Sequence, residues 1–325
     1  MKSVYFADVN KIEVRDVEQP QVRKGTVKIK TEYAALCATD LHMVTMGILG
    51  AKPGIPLGHE ASGTIVELGE GVEASGLQIG DKVATAPIAV CGQCDMCKMG
   101  MPQYCRNAAP IAAFSEYIVT EPSAVFKIPA DADMQRYSLV EPAVCTVRAM
   151  DIAQIQHGDT VVVSGIGGIG SILLNMVILS GAAKITVIDP VKEKRELALS
   201  MGAAYALDPT QDDLYEKAME ITGGYGFDRV FEVSGSPNAS EICLKIVAHC
   251  GRVIYFAVYP PQYTMPLNLY DLYMKEASIH TVFTNHALYP RTINLMERLQ
   301  TDKIIGKVMD LEFKTSKYPK ILLKC

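Results

Sequence analysis

Positive charge is in short supply in this sequence. Lysine and arginine total 31 against 36 aspartates and glutamates, a formal net charge of −5. That balance leaves no strongly basic surface and argues against nucleic acid as a partner. Internal repeats, low-complexity tracts and long charge runs are also missing. The opening residues, Met1-Lys2-Ser3-Val4-Tyr5-Phe6-Ala7-Asp8, lack the apolar core of a signal peptide. A cytoplasmic, reducing setting is therefore expected, in which thiols bind metal or react rather than pair. One stretch, 160–183, has no charge, yet Gly165, Gly167, Gly168, Gly170 and Gly181 interrupt it. A strand, a glycine turn and a buried helix account for it better than a membrane span.

What is present describes two globular domains. The 325 residues are about twice a typical domain length. Hydrophobic residues make up 49% and charged residues 21%, which excludes a disordered or collagen-like chain. In the first part, Val27, Ile29, Thr31 and Tyr33 share one face of an expected strand, and Lys28, Lys30 and Glu32 the other. Short β-like runs broken by Gly and Pro continue to about residue 128 and predict an irregular antiparallel β domain. After Glu141-Pro142 the pattern changes. Strands are expected over 161–163, 184–188, 229–233 and 253–258, with helices over 169–180 and around Leu197 and Met201. Alternation of this kind predicts an α/β unit, a doubly wound parallel sheet with helices on both faces. One more helix is expected over 289–299.

Gly165-Ile166-Gly167-Gly168-Ile169-Gly170 matches the G-x-G-x-x-G pattern between an expected strand and helix. The first Gly suits a tight turn, the second lets a pyrophosphate approach the backbone, and the third allows close helix–strand packing. The helix N-terminus then offers free N–H groups to phosphate. Asp189, at the end of the next strand, can accept hydrogen bonds from ribose hydroxyls and repel a 2′-phosphate, which favours NAD. Lys194, in the following helix, is a second candidate for the ribose or a solvated lysine.

The nine cysteines are an odd number, and four of them crowd together at Cys91, Cys94, Cys97 and Cys105. Four thiolates at this spacing suit a closed structural zinc site. An iron–sulfur motif shares the first three cysteine positions, but its fourth position is Met101 here and Cys105 comes late. A second constellation joins Cys37-Ala38-Thr39-Asp40-Leu41-His42 with Gly58-His59-Glu60. A thiolate from Cys37, an imidazole from His59 and a carboxylate from Glu60 or Glu141, plus water, is the ligand pattern of a catalytic zinc.

These pieces in this order resemble the zinc-dependent medium-chain dehydrogenases, the family of alcohol, sorbitol and threonine dehydrogenases. The resemblance rests on Cys37-Ala38-Thr39-Asp40, Gly58-His59-Glu60-x-x-Gly63-x5-Gly69, Gly80-Asp81-Lys82-Val83, the four-cysteine lobe, Glu141-Pro142, the glycine turn and Asp189. It implies a GroES-like catalytic domain over 1–142 and 284–325, with a structural zinc lobe at 91–105, and a Rossmann domain over 143–283. It also implies two zinc ions per chain, NAD, and a homodimer or homotetramer joined through the last cofactor-domain strand. In that scheme Cys37 and His59 bind the catalytic zinc. Glu60 or Glu141 completes the set, and Asp40 fixes the tautomer of His59. Thr39 and His42 resemble a proton relay to solvent. The implied reaction is hydride transfer from a small secondary alcohol, polyol-like in character, to NAD.

Three departures bear on the substrate. Thr284-Asn285 stand where many sorbitol dehydrogenases carry Arg-Tyr, although Tyr289-Pro290-Arg291 resembles that branch. The segment 106–114 is short, and the tail after Phe313 lacks the helix that usually precedes the last strand, here 320–323. L-Threonine or a butanediol-type diol is the rival substrate. A non-catalytic redox-sensing descendant is the rival of another class.

Overall fold

Apolar alternation, interrupted by glycine and proline, produces short strands in the first part of the chain. They are β1 (Lys2–Asp8), β2 (Lys11–Asp16), β3 (Val27–Ala35), β4 (Glu60–Leu68), β5 (Lys82–Thr85), β6 (Ile88–Ala89), β7 (Ala109–Pro110), β8 (Tyr117–Thr120) and β9 (Val125–Lys127). The helices of this part are α1 (Ala38–Met46), α2 (Asp95–Lys98), α3 (Met134–Tyr137) and α4 (Val140–Ala153). The computed structural model describes residues 1–48, 50–211, 213–310 and 320–325.

β3 pairs antiparallel with β4 and β8, and Val27, Ile29 and Thr31 are buried as the alternation requires. Lys28 breaks the expectation, because it is buried too. The pairing with β4 slips register between Lys28 and Ile29 and again between Thr31 and Tyr33, and Lys28 is covered on the other face of the strand. The Lys28 ammonium donates to Gln19 Oε1 at 3.2 Å and lies 5.2 Å above the Tyr117 ring.

The middle of the chain alternates strand and helix. Its elements are β10 (Thr160–Ser164), α5 (Gly168–Ile178), β11 (Lys184–Ile188), α6 (Lys192–Met201), β12 (Tyr205–Leu207), α7 (Leu214–Ile221), β13 (Phe227–Glu232), α8 (Pro237–Lys245), β14 (Val247–Tyr255), α9 (Leu269–Lys275) and β15 (Ser278–Thr281). The strands form one parallel sheet in the order β12-β11-β10-β13-β14-β15. This is the doubly wound arrangement, with its order reversing between β10 and β13. Val162, Ile188, Phe227, Val230, Ile246 and Val253 form a buried apolar core in it. β14 begins before the expected position. Val247 and Ala248 open it buried, but His249 and Cys250 are exposed and Cys250 adopts φ 57°, so the apolar run is interrupted before Val253.

α10 (Tyr289–Ile293), α11 (Thr301–Ile304), β16 (Ile305–Asp310) and β17 (Lys320–Lys324) follow. The single helix expected over 289–299 is broken. Leu295 N–H donates to Thr292 and Arg298 N–H to Leu295, three-residue bonds that tighten the chain into a 3-10 turn over Met296–Arg298. Arg136 and Tyr137 pin that turn by bonding the Glu297 carboxylate at 2.7 and 3.0 Å. β17 adds to β3, antiparallel. The short tail before β17 falls at 311–319, outside the described residues.

The chain divides into two compact units. One comprises 1–144, 285–298 and 305–325, and the other 145–284 and 299–304. Residues 299–304 join the second unit because Gln300 bonds Asn175 Oδ1 and the Met201 carbonyl, while Lys303 bonds the Ser200 carbonyl. Among the described residues no helix is long and apolar enough to cross a membrane.

Candidate functional site

The first unit gathers residues that are distant in sequence. Cys37 precedes α1 in extended conformation, and its N–H donates to Asp40 Oδ2 at 3.0 Å. His59 follows Gly58, whose φ of +89° and closeness to the Phe114 backbone admit no side chain. Glu60 opens β4. Together these elements bring one ligand atom each of Cys37, His59 and Glu60 within 4.8 Å of one another. Asp40, fully buried, places Oδ1 3.2 Å from His59 Nδ1. Burial of His59 opposes its protonation, yet Asp40 and Cys37 hold its pKa well above the ordinary value.

Glu141 is buried in the first turn of α4 and lies outside that 4.8 Å group. Burial pushes its carboxyl up to about 7, with His59 opposing and Glu60 adding to the shift. Lys320 is the member that sequence patterning misses. Its Nζ donates to both oxygens of Glu60, at 2.7 and 2.5 Å, and to the Leu36 carbonyl at 3.2 Å. Burial opposes its charge, but Glu60, Cys37 and Glu141 raise its pKa above that of a free lysine. Three carboxylates and a thiol thus face one imidazole and one ammonium. That excess of negative donors fits a divalent cation, with Cys37 and His59 as soft ligands. Thr39 and His42 stand one helical turn apart on α1. His42 is half-buried, with Nδ1 lacking a hydrogen-bond partner among the described residues, and burial lowers its pKa.

Cys91, Cys94, Cys97 and Cys105 form a second group on the loop around α2. Cys105 Sγ lies 3.5 Å from Cys91 Sγ and 4.0 Å from Cys94 Sγ, so Cys105 is the fourth member despite its late position. Backbone N–H groups of Gln93 and Cys94 lower the Cys91 thiol to about 6, whereas burial and neighbouring sulfurs raise Cys97 to about 12. Arg106 clamps Asp95 through two bonds of 2.7 Å and braces the loop. The set fits a closed tetrahedral zinc site.

In the second unit the glycines divide by cause. A Cβ on Gly165, where φ is +101°, would lie 2.8 Å from Ser234 N, and one on Gly170 would lie 1.9 Å from the Gly165 carbonyl. Protein packing alone demands those two. Gly167, which caps α5 ahead of Gly168 and Ile169, would meet nothing within 4 Å. Its missing side chain leaves the helix N-terminus open to a phosphate. Asp189 accepts from Ile166 N–H at 2.7 Å and Val191 N–H at 2.9 Å, which fixes its carboxylate beside the turn. Lys194 Nζ stands 4.0 Å from Asp189. Arg195, which the motif does not mark, bonds the Asp189 carbonyl and pairs with Asp208 at 2.9 Å.

A doubly wound sheet with an open glycine turn, on a chain that also gathers Cys, His and Glu donors, defines a metal-dependent dinucleotide oxidoreductase. Residues 23–130 match the alcohol dehydrogenase GroES-like domain, and residues 168–300 match the zinc-binding dehydrogenase family. L-Threonine 3-dehydrogenase of Pyrococcus horikoshii is 32% identical over 303 residues, covering 90% of this chain and 85% of that protein. Sorbitol dehydrogenase of Bacillus subtilis is 29% identical over 306 residues, covering 91% and 86%. A zinc-binding dehydrogenase of Sinorhizobium meliloti, solved bound to NADP, superimposes with a TM-score of 0.92. It is 25% identical, and the match spans 100% of this chain and 99% of that one. The chain belongs to the zinc-dependent medium-chain alcohol dehydrogenase family. It is an oxidoreductase whose family uses zinc and a nicotinamide cofactor.

Proposed function

We propose that this chain uses NAD and zinc to oxidise a secondary alcohol, polyol-like in chemistry, to a ketone. The observation that supports this most is the convergence of Cys37, His59 and Glu60 within 4.8 Å. Cys37 and His59 would hold the catalytic ion, with Glu60 or Glu141 offering the carboxylate, and the four cysteines would hold a structural one. When bound, zinc and nicotinamide supply a Lewis acid for the substrate hydroxyl and an acceptor for hydride.

The remaining work falls to the chain. Asp40 engages His59 Nδ1, leaving Nε2 as the donor atom and fixing the ring. Lys320 donates to both oxygens of the buried Glu60 carboxylate and fixes its orientation. His42 is neutral near pH 7 because burial lowers its pKa, so it can accept a proton relayed by Thr39 and release it to solvent. Asp189 supports NAD, since its fixed carboxylate would repel a 2′-phosphate. Arg195 is engaged with Asp208 and is not available to receive one.

L-Threonine is the second reading, favoured by the 32% identity to the Pyrococcus horikoshii enzyme. A second copy of the chain is the proposed partner. β15 is an edge strand, and the neighbouring α9 exposes Leu269, Tyr270 and Tyr273. NADH formation measured against polyols, butanediol and L-threonine tests the function. Turnover of a polyol with NAD supports the primary reading, turnover of threonine alone supports the second, and no turnover of any alcohol contradicts both.

A further inference from the structure

The carboxyl edge of the parallel sheet holds a buried acid for which the alcohol chemistry has no use. Glu232 ends β13 and is fully buried. Its carboxylate accepts from Ser234 N–H at 2.8 Å, Gly235 N–H at 3.3 Å, the Ser234 hydroxyl and the Tyr259 hydroxyl. All four of these donors come from two loops, 234–236 after β13 and 256–263 after β14. A buried carboxylate is costly to keep, so donors drawn from both loops make it a tie between them.

The tie lies beside the glycine turn. Ser234 is the residue that a Cβ on Gly165 would strike. Gly235 packs under the neighbouring loop, where a Cβ would lie 3.1 Å from the Val258 carbonyl. Strand order reverses between β10 and β13, and a dinucleotide lies across that reversal with one mononucleotide on each half of the sheet. Asp189, at the end of β11, marks the adenosine half. The loops after β13 and β14 border the other half, which takes the nicotinamide.

We propose that the Tyr259–Glu232 pair is a latch that sets loop 257–259 to receive the nicotinamide end of the cofactor. It rests on the dinucleotide reading of the glycine turn. Tyr259 is a positioning residue, acting through the loop it ends. Burial, together with the Glu232 charge, raises its pKa far above that of a free tyrosine, so the hydroxyl remains a donor at working pH. The ring has its own anchorage. It stacks on Tyr263 at 5.5 Å and meets Tyr255 edge-on at 6.4 Å, and both of those hydroxyls bond Ser240 of α8. Tyr259→Phe therefore removes the latch and keeps the packing.

The test compares two ligands on the zinc-loaded protein by calorimetry, NADH and ADP-ribose, the second lacking only the nicotinamide ring. Tyr259→Phe is expected to weaken NADH about tenfold, the scale of one hydrogen bond to a charged group, and to leave ADP-ribose within about twofold of wild type. Glu232→Gln should shift NADH in the same direction, and a thermal transition on each variant reports whether the fold survives. Unchanged NADH affinity in Tyr259→Phe overturns the latch, as does a parallel loss for both ligands. If the wild type binds neither ligand, the dinucleotide reading itself fails and the latch fails with it.

Discussion

Glu60 and Lys320 show what a single residue decides in this molecule. They are 0% and 2% exposed, so neither charge has water to lean on and each depends on the other. Lys320→Met should cost about 3–5 kcal/mol of stability in urea unfolding, because it strands a buried carboxylate. Lys320→Arg should recover much of that loss by keeping the charge. The pair spans 260 positions of sequence, and an isolated lysine in a tail has no spacing that marks it. Cys37, His59 and Glu60 were legible because they sit in short motifs with metal-ligand chemistry, and their partner was not. Asp189 also acts at this scale. Asp189→Ser should weaken NAD about tenfold and narrow the preference over NADP, as measured by steady-state kinetics with each cofactor.

Elements were readable where one physical cause dominated. β10, β11 and α5 follow apolar runs bounded by glycine, and they lie where patterning puts them. β3 follows the same rule, but Lys28 on its other face is buried under Gln19 and the Tyr117 ring, a cover that hydropathy does not mark. The 289–299 helix broke for a tertiary reason, since its last turn is held by Arg136 and Tyr137 from far upstream. The loop around α2 depends on a different kind of support, four sulfurs with little apolar packing, since Cys105 alone of the four is buried. With zinc bound there as proposed, Cys97→Ser should release it and open the loop. Limited proteolysis should then cut between Cys91 and Cys105 while the rest of the chain stays intact.

At the scale of the whole molecule the chain separates two tasks. One unit gathers Cys37, His59 and Glu60, with Glu141 and Lys320 buried nearby, for the proposed metal, and the other holds the open helix N-terminus and the fixed Asp189 proposed to meet the dinucleotide. The length led to an expectation of two domains. The inserted arrangement was implied by the family resemblance, and the grouping of 299–304 with the second unit became visible only through Gln300 and Lys303. Zinc per chain, measured by mass spectrometry on the wild type and on Cys37→Ala, tests the central claim most directly. The expected result is about two zinc ions in the wild type and about one in the variant, with NADH formation lost. About one zinc ion in both proteins, bound by the four-cysteine loop alone, would contradict a catalytic metal at Cys37 and His59.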